Sequence, residues 1–184
     1  MSHIESQITD LIQQDSKRLQ MLQAVARLNL PDCYVAAGFL RNLVWDHVHG
    51  YSQSTPLNDI DVVYFDKANT EPQWDRDYQS RLEKQISLPW SVKNQARMHI
   101  RNNDPEYLST ADAMSYWVEV ETAVGVCQNK DNRLTFVAPL GLESLFNRTI
   151  TLNPKRPKKS VFLKRIEEKS WLKQWPHLVV ESWL

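Results

Sequence analysis

Residues 59–65 read Asp-Ile-Asp-Val-Val-Tyr-Phe, and this run constrains the chain more than any other. Its β-branched and aromatic residues favour an extended strand. In a strand, residues i and i+2 point to the same face, so Asp59 and Asp61 project side by side. Neighbouring carboxylates repel, and each is protonated more readily beside the other. A divalent cation removes that conflict. Mg2+ takes oxygen ligands and typically uses one or two carboxylates together with substrate phosphates. Taken alone, the same acidic pair also fits a solvated strand end.

The segment before it supplies a second half. Cys33–Ala37 is short, apolar and bounded by turn signals, as a buried strand is. Gly38 follows, and Phe39 to His49 reads as a helix with Leu40, Leu43, Val44 and Val48 on one face and Gly50 at its end. Backbone N–H groups at Gly38 can meet a phosphate with no Cβ in the way. Arg41, in the first helical turn beside Asn42, can fork onto phosphate oxygens. Asn58, just before the carboxylates, can orient a side chain or a water. Strand, glycine, helix, loop and acidic strand together point to phosphoryl or nucleotidyl transfer, in which metal ions neutralise developing charge.

The remaining pattern mixes helices and strands without the alternation of a doubly wound fold. Ile4, Ile8, Leu11 and Ile12 repeat at helical spacing, as do Leu19, Leu22, Val25 and Leu28, with Asp15 or Ser16 as a cap. A helix is expected around Asp75–Ile86, a strand over Trp90–Ile100, a helix over Thr110–Trp117, paired strands at Thr122–Cys127 and Leu134–Val137, a short helix at Leu142–Phe146 and a basic helix over Lys158–Lys173. The expected class is α+β, a small mixed β-sheet with flanking helices. The 184 residues divide into N-terminal helices (1–31), a central domain (32–154) and a basic helix with tail (155–184), read as one globular unit. On a regular strand Lys93, Gln95, Arg97 and His99 share one face, either a phosphate surface beside the Asp pair or an exposed edge. Glu121 is a surface or ion-paired glutamate rather than a late metal ligand.

The residues Ala37-Gly38 and Asp59-Ile-Asp61 resemble the signature of the DNA polymerase beta-like nucleotidyltransferase superfamily. The detail AAGFLRN and NDIDVVYFD looks most like the head domain of class II tRNA nucleotidyltransferases and bacterial poly(A) polymerases. The chain is more similar still to a bacterial family of uncharacterised predicted nucleotidyltransferases. Trp90–His99, Glu121–Val126 and Ala138–Phe146 share in this, so that the resemblance runs from Asp32 to Pro154. It implies a nucleotidyltransferase-type sheet, Mg2+ or Mn2+ at Asp59 and Asp61, and a nucleoside triphosphate near Gly38 and Arg41; Asn42, Asn58, Lys93 and Arg97 join the candidate nucleotide-binding residues on the pattern of the sequence itself. It also implies transfer of a nucleoside monophosphate to an acceptor hydroxyl, on RNA or on a small molecule. Two departures stand out: Ala37 replaces the first motif glycine, and SVKNQARMHI lacks the third carboxylate of many members. They motivate the alternative of a catalytically degenerate module that binds nucleotide or a partner.

Other classes fall away. Lys+Arg and Asp+Glu both number 22, so the surface as a whole is not that of a bulk electrostatic nucleic-acid binder. A local basic patch remains: residues 153–173 carry eight Lys/Arg against two Glu, either a polyanion clamp or a solvated helix docked through Val161, Phe162, Ile166 and Trp171. Two distant cysteines fit reduced thiols in a cytoplasmic protein. The start has no basic, apolar leader and no run approaches a membrane span, so neither secretion nor membrane contact is expected. No Gly-x-x-x-x-Gly-Lys or Gly-x-Ser-x-Gly occurs. His47 and His49, two apart on a helix, do not face one zinc. Seven Trp and the tail LVVESWL offer material for a partner surface.

Overall fold

The computed structural model describes residues 2–182, which leaves the tail residues Trp183 and Leu184 outside the described residues. Two helices open it. α1 (His3–Gln13) starts with a capping box between Ser2 and Glu5, and α2 (Ser16–Ala26) is capped by the Asp15 carboxylate, which accepts from Arg18 N. β1 (Tyr34–Ala36), α3 (Gly38–Val48), β2 (Ile60–Tyr64), α4 (Pro72–Gln85) and β3 (Trp90–Asn94) follow. α4 begins at Pro72, three residues ahead of the expected Asp75; proline at the first helical position gives up only an N–H that has no helical partner there.

The main sheet has the order β3-β2-β1-β4-β5, with β4 at Gly125–Gln128 and β5 at Leu134–Val137. β2 and β3 run parallel and the other neighbours antiparallel, so the sheet is mixed, as the fold class required. Its register explains its two faces. Val92, Val62, Val35 and Val126 form one row across four strands. All four are fully buried and pack into the main core with Phe39, Leu40, Val44, Leu82, Ile8 and Ile12. The neighbouring row, on the opposite face, reads Ser91, Asp61, Ala36, Gly125 and Val137. Ala36, Gly125 and Val137 of that row are buried, Ala36 and Val137 in a cluster with Val63 and Met114, so its open part is Ser91 and Asp61. Gly125 is tightly enclosed: a Cβ there would sit 3.0 Å from Val137 Cγ1 and 3.1 Å from Tyr34 Cβ, so these neighbours would have to give way.

β3 ends at Asn94, so the expected strand over Trp90–Ile100 is corrected. The fully buried Asn94 amide is the reason. Its Oδ1 accepts from Ala96 N (3.0 Å) and Asp66 N (3.1 Å), and its Nδ2 donates to Asp66 O (2.7 Å) and Asn69 O (2.9 Å). This side chain caps a 3₁₀ turn (Gln95–Arg97) that leads into α5 (Met98–Asn102). Lys93, Gln95, Arg97 and His99 therefore do not share a face.

α6 (Thr110–Met114) runs into a turn over residues 115–118 that buried Asn153 clamps. A second sheet pairs β6 (Thr149–Thr151) in parallel with β7 (Val179–Glu181), two strands too short to signal themselves. Between them run α7 (Lys159–Lys169) and α8 (Trp171–Gln174). The single basic helix expected over Lys158–Lys173 breaks at Ser170, which is left-handed with φ 53°. Phe162, Ile166 and Trp171 are buried with Trp45 and Trp175, whereas Val161 stays 40% exposed and does not dock. Among the described residues no helix is long and apolar enough to cross a membrane, and both cysteines are free thiols.

Candidate active site

Asp61 lines a cleft of about 530 Å³. Ala37 and Thr122 line one side, Ser91 and Lys93 the β3 side, and Glu119, Trp117 and Arg165 the wall opposite. Burial first, then the charge of Asp59, hold the Asp61 carboxyl above its usual range. Asp59 itself is exposed, and its Oδ2 lies 3.4 Å from Lys169 Nζ at the end of α7. Among the described residues no cluster of three His, Cys, Asp or Glu forms a metal cage. The donor set is a pair. A crowded carboxylate pair beside open space suits a hard cation that completes its shell with phosphate oxygens and water.

Next to the pair, β1 turns into α3 through Ala37. Its φ of 54° and ψ of −120° are those of the first central residue of a type II′ turn, where glycine is favoured. Ala37 N donates to Val124 O (2.8 Å), and Ala37 O accepts from Arg41 N (3.0 Å), which fixes the helix start. Gly38 is the first helical residue, and Arg41 folds back over it: a Cβ on Gly38 would sit 3.4 Å from Arg41 Nη2. Arg41 is buried. Nη1 donates to Thr122 Oγ1 (2.8 Å), Nη2 to Asn42 Oδ1 (3.0 Å), and the guanidinium lies 4.5 Å and 5.1 Å from the Trp171 and Trp45 ring centroids. Among the described residues its Nε has no hydrogen-bond partner. Burial pushes its pKa down to about 10, with Glu119, Asp61 and Asp59 pulling the other way, so it remains a cation at neutral pH.

Glu119, fully buried, receives Arg165 through Nε (2.6 Å) and Nη2 (3.2 Å) in a bidentate pair. Burial works against the Arg165 charge, but the Glu119 hydrogen bonds and charge hold its pKa above normal. Arg165 and Arg41 thus bring two cations within the field of Asp59 and Asp61.

Of the residues singled out from sequence, Asp61 and Lys93 line the cleft; Asp59, Gly38, Arg41 and Asn42 lie outside its lining, Arg41 tied to it through Thr122 and to Asn42 through Nη2. Asn58 is exposed and outside its lining. Arg97 is also outside it: Nη2 is ion-paired with buried Asp75, which also accepts from Tyr64 Oη (2.8 Å) and Asn94 N (3.0 Å). Glu121 corrects the expectation of a surface or ion-paired glutamate. It is buried and accepts from Thr149 Oγ1 (2.9 Å), Thr151 Oγ1 (2.8 Å) and Thr151 N (2.8 Å). Sequence reading missed Glu119, Thr122 and Lys169. No local signal marks them, because each meets its partner across 46 to 110 residues.

A family model described as nucleotidyltransferase matches residues 23–180. An NMR structure reported to reveal a CCA-adding enzyme head domain is 26% identical, with a TM-score of 0.84 over 96% of this chain and 95% of that one. A Thermotoga maritima CCA-adding enzyme complexed with tRNA is 13% identical, with a TM-score of 0.62 over 96% of this chain and 42% of that one. A CCA-adding enzyme in complex with CTP is 15% identical, with a TM-score of 0.59 over 95% of this chain and 43% of that one. These two share the fold, and the chain spans about two-fifths of their length. No curated protein matches.

Proposed function

The chain belongs to the nucleotidyltransferase family, and from that premise we propose that it moves a nucleoside monophosphate from a nucleoside triphosphate to an acceptor hydroxyl, with Mg2+ or Mn2+ held by Asp59 and Asp61. The observation that carries this reading is that Asp61, with Ser91 beside it in register, lines the cleft together with Ala37, the residue at which β1 turns into the Gly38 helix start. The cation, when bound, supplies neutralisation of the charge that develops on the transferred phosphoryl group.

The chain's own residues do the rest. Gly38 lets the first turn of α3 approach the β- and γ-phosphates with bare N–H groups. Arg41, held by Thr122, Asn42 and two indoles, is a preorganised cation that needs no reorganisation during reaction. Its unpartnered Nε accounts for a donor still to be satisfied. Lys93 and Arg165 add positive charge along the cleft. Either carboxylate of the pair would help to activate the acceptor hydroxyl. RNA is the acceptor class supported by likeness to a tRNA-bound enzyme; a small alcohol is the other. The three chain segments act as one unit, because α7 brings Arg165 and Lys169 to the carboxylates.

A second reading, nucleotide binding without transfer, is favoured by Ala37 at the glycine position and by Ser91, not an acid, opposite Asp61 on β3. Pyrophosphate release decides between them. With an NTP, Mg2+ or Mn2+ and an acceptor panel, turnover is expected in the wild type and absent in Asp59→Asn and Asp61→Asn with unchanged circular dichroism. Turnover retained in Asp61→Asn refutes the assignment; metal-dependent binding without pyrophosphate release supports the second reading.

A further inference from the structure

The cleft has a second end, and its chemistry differs from the first. Beyond Asp61 the next residue of β2 on that face is Val63, flanked in register by Lys93 and Tyr34. Trp117 packs against the cluster of Ala36, Val63, Met114 and Val137 and also lines the cleft. One step of two residues along a strand is about 7 Å. That is the reach from an α-phosphate at Asp61, across a ribose, to a base.

The backbone under Trp117 is held rigidly. Buried Asn153 donates from Nδ2 to Ser115 O (2.8 Å) and Trp117 O (2.7 Å), and from its backbone N to Val118 O (3.0 Å). The neighbouring aromatic, Tyr116, is already engaged: Lys155 Nζ stands 3.9 Å from its ring centroid and the Tyr107 ring 5.4 Å away. Trp117 differs. Among the described residues its indole stacks on no other ring, and its N–H meets no acceptor, although a rigid aromatic beside a cleft could do both.

We propose that Trp117 is the stacking platform for the base of the nucleoside triphosphate, with Lys93 at the same end of the cleft. This rests on the proposed function. It gives the cleft a direction, with the triphosphate tail toward Gly38 and Arg41 and the nucleoside toward Trp117. The terminal base of an acceptor strand has the same chemistry, so the test separates the two.

Equilibrium binding in Mg2+ is measured for ATP, inorganic tripolyphosphate and a short oligoadenylate with wild type, Trp117→Ala, Trp117→Phe and Asp61→Asn. Base stacking on an aromatic is lost on truncation with a weakening of roughly 10- to 100-fold. Trp117→Ala is expected to lose ATP affinity by that factor and to keep tripolyphosphate within about twofold, while Trp117→Phe recovers most of the loss. ATP bound equally well by Trp117→Ala overturns the proposal, and so does a loss confined to the oligoadenylate. A parallel loss of tripolyphosphate in Trp117→Ala also overturns it, since the indole then supports the fold rather than the base. Failure of the proposed function looks different: wild type binds neither ATP nor tripolyphosphate, or Asp61→Asn binds both undiminished, and the inference falls with it.

Discussion

Ala37→Gly should make the protein more stable, although glycine replaces a residue with a side chain. Ala37 has φ 54° and ψ −120°, a region that a Cβ disfavours and glycine enters freely. A non-glycine residue held in such a region carries about 1–3 kcal/mol of strain, and this far from the left-handed helical basin the upper end applies. Two terms oppose the gain. Glycine widens the unfolded ensemble at a cost of about 0.4–1 kcal/mol. Ala37 is only 5% exposed, so its methyl forfeits about 0.8 kcal/mol of burial. The net is a stabilisation of about 1 kcal/mol, which raises Tm by about 2–4 °C for a chain of this size. Urea unfolding is the direct assay, with the midpoint expected to rise at constant m. Ala37→Val gives the opposite control, since a β-branched residue at positive φ adds strain. An Ala37→Gly protein no more stable than wild type refutes the strain argument, and with it the reading that this turn was shaped for glycine.

Other perturbations follow the same logic. Mg2+ together with an NTP is expected to raise Tm in the wild type by mass action and to leave Asp61→Asn unmoved, as thermal denaturation checks. Arg165→Ala leaves Glu119 buried without its cation and should cost about 3 kcal/mol, the low end for a broken buried pair because Arg165 is one-third exposed; a chemical denaturation curve close to wild type contradicts this. Glu121 has a pKa raised by burial above its ordinary 4.5, so the folded protein binds more protons than the unfolded chain above that pH. Its contribution is therefore complete below 4.5 and lost as pH rises through the folded value. Glu121→Gln, whose amide can still pair with Thr149 and Thr151, should flatten that decline relative to wild type in stability measured from pH 4 upward.

The strand at Asp59–Phe65 and the helix that begins at Gly38 were legible because period, composition and punctuation agree there. The mixed sheet followed from them. Where reading failed, long-range contacts had overridden local pattern. Lys93 to His99 alternates as a strand does, yet one buried amide, Asn94, binds a loop 28 residues upstream and bends the chain. β6 and β7 are three residues each, stabilised by pairing with one another rather than by any run of their own. The carboxylates, glycine and Arg41 lie within one local motif and could be gathered from sequence. Glu119, Arg165 and Lys169 come from segments joined only by the fold.

That same separation bears on how the protein acquires its site during synthesis. All five strands of the main sheet have been translated once Val137 is reached. Arg41, however, stays uncovered until Trp171 arrives, and Trp175 reaches back 129 residues to donate to Asp46 (2.8 Å). Contacts of such sequence separation form late. A nascent chain therefore carries its acidic pair in a sheet that already exists while the cations around it have still to be gathered, and the proposed triphosphate site is completed by α7 and α8 rather than by the sheet that bears the carboxylates.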